Sequence, residues 1–448
     1  VKKVLIITYY WPPSGGAGVQ RWLKFVKYLR NFGWEPIIYT AENAEYPVLD
    51  VELAKDIPKN VTVYAKEIKE PYTYYKKLMG RKKEERVYSG FLQEDGRRNW
   101  RQKLALFIRA NIFIPDARCM WIKPSAKYLI EKLKTEKIDL IISTGPPHSM
   151  HLIAMKIKRK TALPWIADFR DPWTNIDFAD DLPFTKWAIN KNEKLEKKVL
   201  QNADQIIVVS ALMKEEFESK TKQKVNLITN GFDTDDFSAR NQSSIAHKYF
   251  QMIHTGSLNN RRNHLSFWKA ISELSNEFPE VMKRVKIKLI GKTDIDARNA
   301  VERYKLGELV EFQDYLPHEK IIDEQLQSDL LLLFINRFGE NKSEFRSAKG
   351  TVTGKLFEYL ACRKPILAIG LVESQMADII NETKAGKTFD FDDVSGLKSF
   401  ILQVVNKEFK VLSDTSIAKY SRLNLTQQLA QLMDETLKDG LKNSSTIN

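Results

Sequence analysis

Short runs of aliphatic and β-branched residues, each followed by a turn and then an amphipathic stretch, recur through this chain and restart midway along it. Residues 4–7, 35–40, 139–143, 165–168, 205–210 and 226–230 form one series. Residues 251–254, 286–290, 309–312, 330–334 and 365–368 form a second. Compact apolar runs of this kind suit strands covered on both faces. Helical patterns lie between them, for example at 19–32 and 123–134. Strands that alternate with helices predict parallel sheets in an α/β arrangement. The chain has 448 residues, too long for one core, and its two series predict two domains. The polar, aperiodic stretch at 238–244 marks the seam, and no repeat at a solenoid period is present. A last helical pattern at 413–440 carries Leu425, Leu429, Leu432 and Met433 on one side.

Composition excludes several classes. No apolar run approaches the ~20 residues that span a bilayer. The run at 4–7 is too short for the core of a signal peptide and leads into Trp11, Pro12 and Pro13, so it reads as a buried first strand. The two cysteines, Cys119 and Cys362, are far apart, which argues against a disulfide framework or zinc ribbon and fits a reducing cytoplasm. The net charge is +14, and residues 66–109 hold half of it, with thirteen Lys or Arg against six Asp or Glu. Aromatics such as Tyr72, Tyr74, Tyr75, Tyr88, Phe91, Trp100 and Phe107 are interleaved there. Basic residues mixed with aromatics suit an anionic surface, a lipid headgroup layer or nucleic acid; a solvated loop region with its own small core is the other reading.

Five loops can carry chemistry. The first, from Trp11 to Gly18, joins a strand to a helix, and glycines such as Gly16 let backbone approach a ligand near free helix N–H groups. It is not the G-x-G-x-x-G dinucleotide fingerprint, and no acid ends the second strand, which weakens a hydride-transfer reading. The second, Thr144 to His151, follows a strand; its His148 and His151 line a polar region, and a metal would need ligands that are not evident. The third holds Asp168, Arg170 and Asp171 at a strand end, where carboxylates and a guanidinium can position a hydroxyl and accept its proton. The fourth contains Gly256, Ser257, Arg261 and Arg262, a glycine turn with two guanidinium forks suited to a diphosphate. In the fifth, Thr353 is an N-cap candidate for a helix starting at Gly354. The N–H groups of Gly354, Lys355 and Leu356 would face a phosphate, and Glu358, one turn on, can accept bonds from vicinal ribose hydroxyls.

Here the sequence resembles the large retaining glycosyltransferase family four, of the GT-B fold. The stretches 9–21, 144–154, 168–173, 228–237 and 353–367 carry the resemblance, in the family's order along nearly the whole chain. The second and third of these resemble a bacterial surface-polysaccharide branch. The resemblance implies two Rossmann-like domains facing across a cleft: 1–240 for the acceptor, 241–412 for the nucleotide sugar, and 413–448 as a helix returning to the first domain. It implies that Glu358 binds ribose, that Arg262 or Arg261 meets the diphosphate, and that Lys355 and Gly16 line the donor site. Gly350 stands where the family often has an acid that contacts the donor sugar, and Gly256-Ser257 replaces its usual Gly-Arg.

The function expected is transfer of a sugar from a nucleotide-diphosphate sugar to a glycan or lipid-linked acceptor, retaining by resemblance, in cell-surface polysaccharide synthesis. No metal or cofactor is expected, because no Asp-x-Asp motif sits in a suitable loop. Asp171 and His148 are expected to orient the acceptor, with Asp168 and Arg170 at the same strand-end loop, and the resemblance implies that a phosphate oxygen of the leaving group takes the acceptor proton. A cytoplasmic enzyme is expected, peripheral on an anionic membrane through 66–109 and without a nucleic-acid partner. An epimerase or hydrolase on the same fold, and a non-catalytic nucleotide-sugar-binding scaffold, are the alternatives.

Overall fold

The computed structural model describes residues 1–46, 48–70, 100–175, 182–238, 248–338, 345, 348–411 and 415–445. They form two compact units, 1–229 with 422–448 and 230–421.

The first unit is built on a seven-stranded, all-parallel sheet. Its strands are β1 (Lys2–Ile7), β2 (Trp34–Ala41), β3 (Thr62–Lys66), β4 (Leu140–Gly145), β5 (Trp165–Phe169), β6 (Gln205–Val208) and β7 (Val225–Leu227), in the order β3-β2-β1-β4-β5-β6-β7. Helices α1 (Ala17–Leu29), α2 (Trp100–Asn111), α3 (Ile122–Lys132), α4 (Ser149–Thr161), α5 (Lys186–Asn202) and α6 (Ala211–Lys220) lie between the strands. The central strands β4 and β5 are buried end to end, because helices cover both faces. Two apolar clusters result, one for each face of the sheet. Leu5, Ile141, Trp165 and Phe217 belong to one, and Ile6, Trp22, Ile142 and Ile166 to the other.

The second unit repeats the scheme with β8 (Phe250–Thr255), β9 (Val285–Ile290), β10 (Val310–Gln313), β11 (Leu330–Phe334), β12 (Ile366–Ile369) and β13 (Gly386–Phe389), in the order β10-β9-β8-β11-β12-β13. Its helices are α7 (Asp235–Ser238), α8 (Leu265–Glu277), α9 (Pro279–Met282), α10 (Ile295–Arg303), α11 (His318–Gln327), α12 (Gly354–Cys362), α13 (Gln375–Glu382) and α14 (Val394–Val405). The last helix, α15 (Arg422–Ser445), belongs to the first unit. Its Leu425, Leu429, Leu432 and Met433 enter the cluster with Trp22, and Trp34 Nε1 donates to Asp434 at 3.0 Å.

The units divide at 229/230, eleven residues before the 240/241 boundary expected from the sequence. Residues 230–238 cluster with the second unit because Phe232 bridges to Ser421, donates its N–H to Tyr420 at 3.1 Å, and packs in the core with Phe357. The turn Thr415–Tyr420 stays there too, so the segment at 413–448 splits at Ser421. Strands β3 and β13 were not anticipated. Both are sheet edges, four or five residues long, and β3 is largely exposed, so neither shows an apolar run. Of the basic stretch 66–109, residues 71–99 lie outside the described residues, among them Tyr72, Tyr74, Tyr75, Tyr88 and Phe91; its end forms α2. Among the described residues, no helix is long and apolar enough to cross a membrane.

In each sheet the strand order reverses once, between β1 and β4 and between β8 and β11. Ligands of open α/β sheets bind outside the carboxyl ends of the strands at such points. All but one of the five candidate loops leave one of these four strands or follow β5 alongside; the fifth opens α12, which packs against β11.

Candidate functional site

In the second unit the loop after β8 turns at Gly256, whose φ of 102° suits glycine. Its backbone lies under Lys355: a Cβ there would stand 2.5 Å from Lys355 Nζ. The loop then rests on Gly291, after β9, where a Cβ would stand 2.7 Å from the Gly256 carbonyl oxygen. Two glycines thus bring strand-end backbone and a lysine together. Arg262 closes the loop, donating from Nε to Asn336 Oδ1 at 2.8 Å and from Nη1 to the Ser257 carbonyl at 3.1 Å. Asn259 caps the turn through a bond from Arg262 N–H at 3.1 Å. Of the two arginines, Arg262 is the one whose charge acts on Lys355. The neighbouring Arg261 accepts the Arg337 N–H at 2.6 Å through its carbonyl.

Helix α12 starts at Gly354, as its sequence predicts. Thr353 occupies the N-cap position, but its hydroxyl makes no cap hydrogen bond; Oγ1 is buried and has no recorded partner. The first N–H groups of the helix have no carbonyl of their own turn to bond. Burial pushes Lys355 down to about 7, the Arg262 charge adding to the effect and Glu358 opposing it. Burial alone would push the Glu358 carboxyl up. The hydrogen bond and charge of His318, a bond from Gln325 and the charge of Lys355 outweigh it and hold the carboxyl below the usual range. The Glu358 Oε1 to His318 Nε2 distance is 3.2 Å, and about a quarter of each side chain is exposed (26% and 27%). No ion pair joins Lys355 to Glu358 directly, so the two charges of this turn are not spent on each other, as they would be in a simple helix-surface pair.

Four residues here escaped the sequence reading. His318 opens α11 five residues past β10, and Asn336 lies two residues past β11; position after a strand end was the available signal. Gly291 was hidden because its role is to admit another loop's backbone. His254 is buried at the end of β8, stacked on Phe334, and bonds the Leu332 carbonyl through Nδ1 at 3.1 Å. Burial, with Lys355 and Arg262 nearby, keeps it well below the usual histidine range, hence neutral beside the two cations.

The first unit gives the strand-end residues different tasks. Gly16, at φ 85°, precedes α1, whose N-terminus has no capping side chain and no acid in its first turn. Asp168 is fully buried. Its Oδ1 accepts from Arg21 Nη2 at 2.9 Å, and its Oδ2 from Trp22 Nε1 at 2.7 Å and Thr144 Oγ1 at 2.8 Å. A carboxylate so enclosed joins β5 to α1 and β4 and has no access to an acceptor hydroxyl, which corrects the expectation that it handles a proton. Arg170 is likewise a brace. Its Nη1 donates to the Gly18 carbonyl at 2.5 Å and its Nη2 to the Pro146 carbonyl, and its guanidinium lies over Tyr10, tying the loops after β1 and β4.

Asp171 is exposed, and the loop beyond it is anchored: Trp173 Nε1 donates to Asn192 at 3.0 Å and Thr174 Oγ1 to Glu196 at 2.7 Å. The His148 ring stacks on Trp173 at 4.7 Å with planes 3° apart, and its Nδ1 is buried without a recorded partner. Burial, then the nearby His151 and Arg170, hold it neutral, well below the usual histidine range. The other imidazole, His151, is a core residue: fully buried, bonded to Ser143 Oγ at 2.8 Å and pushed by burial down to about 3. Among the described residues, no three His, Cys, Asp or Glu are grouped to hold a metal.

Residues 86–236 match the family described as Glycosyltransferase Family 4. No curated protein matches the chain in sequence. Solved structures match it along its whole length. A sucrose-phosphate synthase from Thermosynechococcus elongatus has a TM-score of 0.60 at 14% identity, covering 98% of this chain and 100% of its own. Staphylococcus aureus TarM, in complex with fondaparinux, alpha-GlcNAc-glycerol and UDP, has a TM-score of 0.55 at 12% identity over 98% and 99%. Anabaena HepE, in complex with UDP-glucose, has a TM-score of 0.52 at 11% identity over 99% of each chain. The two parallel sheets with interleaved helices are the GT-B fold.

Proposed function

We propose that this chain is a glycosyltransferase that moves a sugar from a nucleotide-diphosphate sugar to a glycan or lipid-linked acceptor in cell-surface polysaccharide synthesis. The observation that carries the reading is the second unit's strand-end cluster: Lys355 over Gly256, Arg262 beside it, and the His318-bonded Glu358 one turn along α12. Two cations and a helix N-terminus suit a diphosphate. A carboxylate held ionised a turn further on suits a ribose diol. The family match over 86–236 and the GT-B fold support the same class. The UDP-glucose of the HepE complex and the UDP of the TarM complex belong to those proteins, and the base and sugar used here are to be found by assay.

In this mechanism Lys355, Arg262 and the N–H groups of Gly354, Lys355 and Leu356 stabilise the leaving nucleoside diphosphate as negative charge gathers on it. A phosphate oxygen of the leaving group takes the acceptor proton, with retention of configuration. Asp171 and neutral His148 orient the acceptor, while Asp168 and Arg170 hold the loops that carry them. The enzyme works on the cytoplasmic side of a membrane. An epimerase or hydrolase would use the same donor cluster and differs only in product.

Glu358→Ala tests the reading. Losing a charged hydrogen bond to the ribose is expected to weaken nucleotide-sugar binding by roughly 1.5–3 kcal/mol by calorimetry, with the melting temperature kept. Unchanged affinity would remove Glu358 from the donor site. Because protein cations already face the diphosphate, turnover is expected to persist in excess chelator; activity lost there and restored by magnesium or manganese would contradict the metal-free mechanism.

A further inference from the structure

Helix α2 is apolar on both sides. Ala105, Leu106 and Ala110 are buried, while Leu104 and Phe107 are exposed on the other face, and Trp100 at the start of the same helix is exposed too. An amphipathic helix of a folded domain turns its outer face to water with polar groups, and this one does not. Ile112, just past its end, is 62% exposed. The start of α5 lies against that end. Asn111 donates from Nδ2 to the Pro183 carbonyl at 2.8 Å, and its Oδ1 accepts the N–H and hydroxyl of Thr185, the N-cap of α5, at 2.7 Å each. The first turn of α5 then presents Trp187, 60% exposed, and Ile189. A large apolar patch is therefore shared by two elements that a buried asparagine locks together.

The charge around it is mainly positive. Residues 100–114 contain Arg101, Lys103 and Arg109 and no acid; residues 182–192 contain Lys186 and Lys191 and no acid. Lys103 and Lys186 are exposed, and Lys191 Nζ sits 4.5 Å from the Trp187 ring centroid. A face that joins tryptophan, phenylalanine and aliphatic side chains to lysines, with exposed Glu193 one turn past Ile189 as an acid at its border, is complementary to a bilayer surface with anionic headgroups. There the rings take the boundary level and the lysines extend to phosphates. We infer that this face of the first unit docks on an anionic lipid surface. The patch lies in a different unit from the donor cluster, and the inference does not depend on the donor's identity. A second copy of the chain would also cover the apolar residues, but an isologous contact would set these lysines against each other.

Co-sedimentation with vesicles tests it. Phosphatidylcholine vesicles, with and without phosphatidylglycerol, are offered to the parent chain, to a Leu104→Ser/Phe107→Ser/Trp187→Ser variant and to a Lys103→Gln/Lys186→Gln variant. The parent is expected to bind the anionic vesicles at least tenfold better than the neutral ones, and less as salt rises. The charge variant is expected to lose roughly fivefold per lysine, and the apolar variant most of its binding. Thermal unfolding confirms that each variant is folded; Lys103 and Lys186 are exposed, so the charge variant carries the test if the apolar one unfolds. A folded parent that ignores anionic vesicles overturns the inference, as does a folded charge variant that binds like the parent. A concentration-dependent dimer without vesicle binding, dispersed by the apolar substitutions, assigns the face to a second copy instead.

Discussion

Asp168→Ala is expected to unfold the first unit rather than to leave a folded, inactive enzyme. The substitution strips Arg21, Trp22 and Thr144 of their shared acceptor and leaves the buried Arg21 guanidinium without its counter-charge. Breaking a buried pair from one side costs about 3–5 kcal/mol, a large part of the stability of an ordinary domain. Arg21 also reaches the carbonyls of Ile228 and Thr229, so the damage extends to the chain leaving β7. Thermal unfolding of the variant should show a transition well below that of the parent. The second unit has its own core, so its nucleotide binding at low temperature is expected to survive. A normal melting curve with abolished turnover would return Asp168 to the reacting groups.

Lys355 is expected to make donor binding pH-dependent. Burial and Arg262 bring it to about 7 in the free protein, so close to half of it is neutral at pH 7 and most of it at pH 8. A bound diphosphate stabilises the ammonium and raises its pKa. Binding above pH 7 therefore takes up a proton, and affinity should fall as pH rises through and beyond about 7, approaching tenfold per unit. Lys355→Met should bind on the order of 2–5 kcal/mol more weakly at pH 6.5, where the parent is mostly charged, and should lose the slope. Calorimetry at pH 8 in buffers of different ionisation enthalpy measures the proton directly. A parent and variant with the same pH profile would show that Lys355 does not meet the phosphate.

The grouping of Gly256, Arg262, Lys355 and Glu358 proposed as the donor site was legible in sequence because these residues lie in two short motifs with local meaning. The start of α12 and the Lys355–Glu358 spacing are set by helix geometry, and the glycine turn at Gly256 by the backbone it needs. His318 and Asn336 were not legible: each comes from a different strand-end loop, and only the sheet order brings them to Glu358 and Arg262. Asp168 shows the converse. A carboxylate at a strand end looks the same in sequence whether it faces a substrate or three side chains of its own domain, and the partners at Arg21 and Thr144 are far along the chain.

By itself, then, the sequence determined what depends on neighbours within a few turns. The apolar runs fixed two parallel sheets with interleaved helices, and most strands fall where those runs lie. Edge strands β3 and β13 carry too little buried surface to show. The tertiary structure alone decided where the units part, because the bridge from Phe232 to Ser421 joins residues nearly two hundred positions apart. It also decided which charged side chains are enclosed and which face solvent. Burial turns Asp168 into a joint of the fold and leaves Asp171, three residues on, exposed; desolvation brings Lys355 close to neutral pH. Desolvation is a property of everything packed around a group, and no local pattern encodes it.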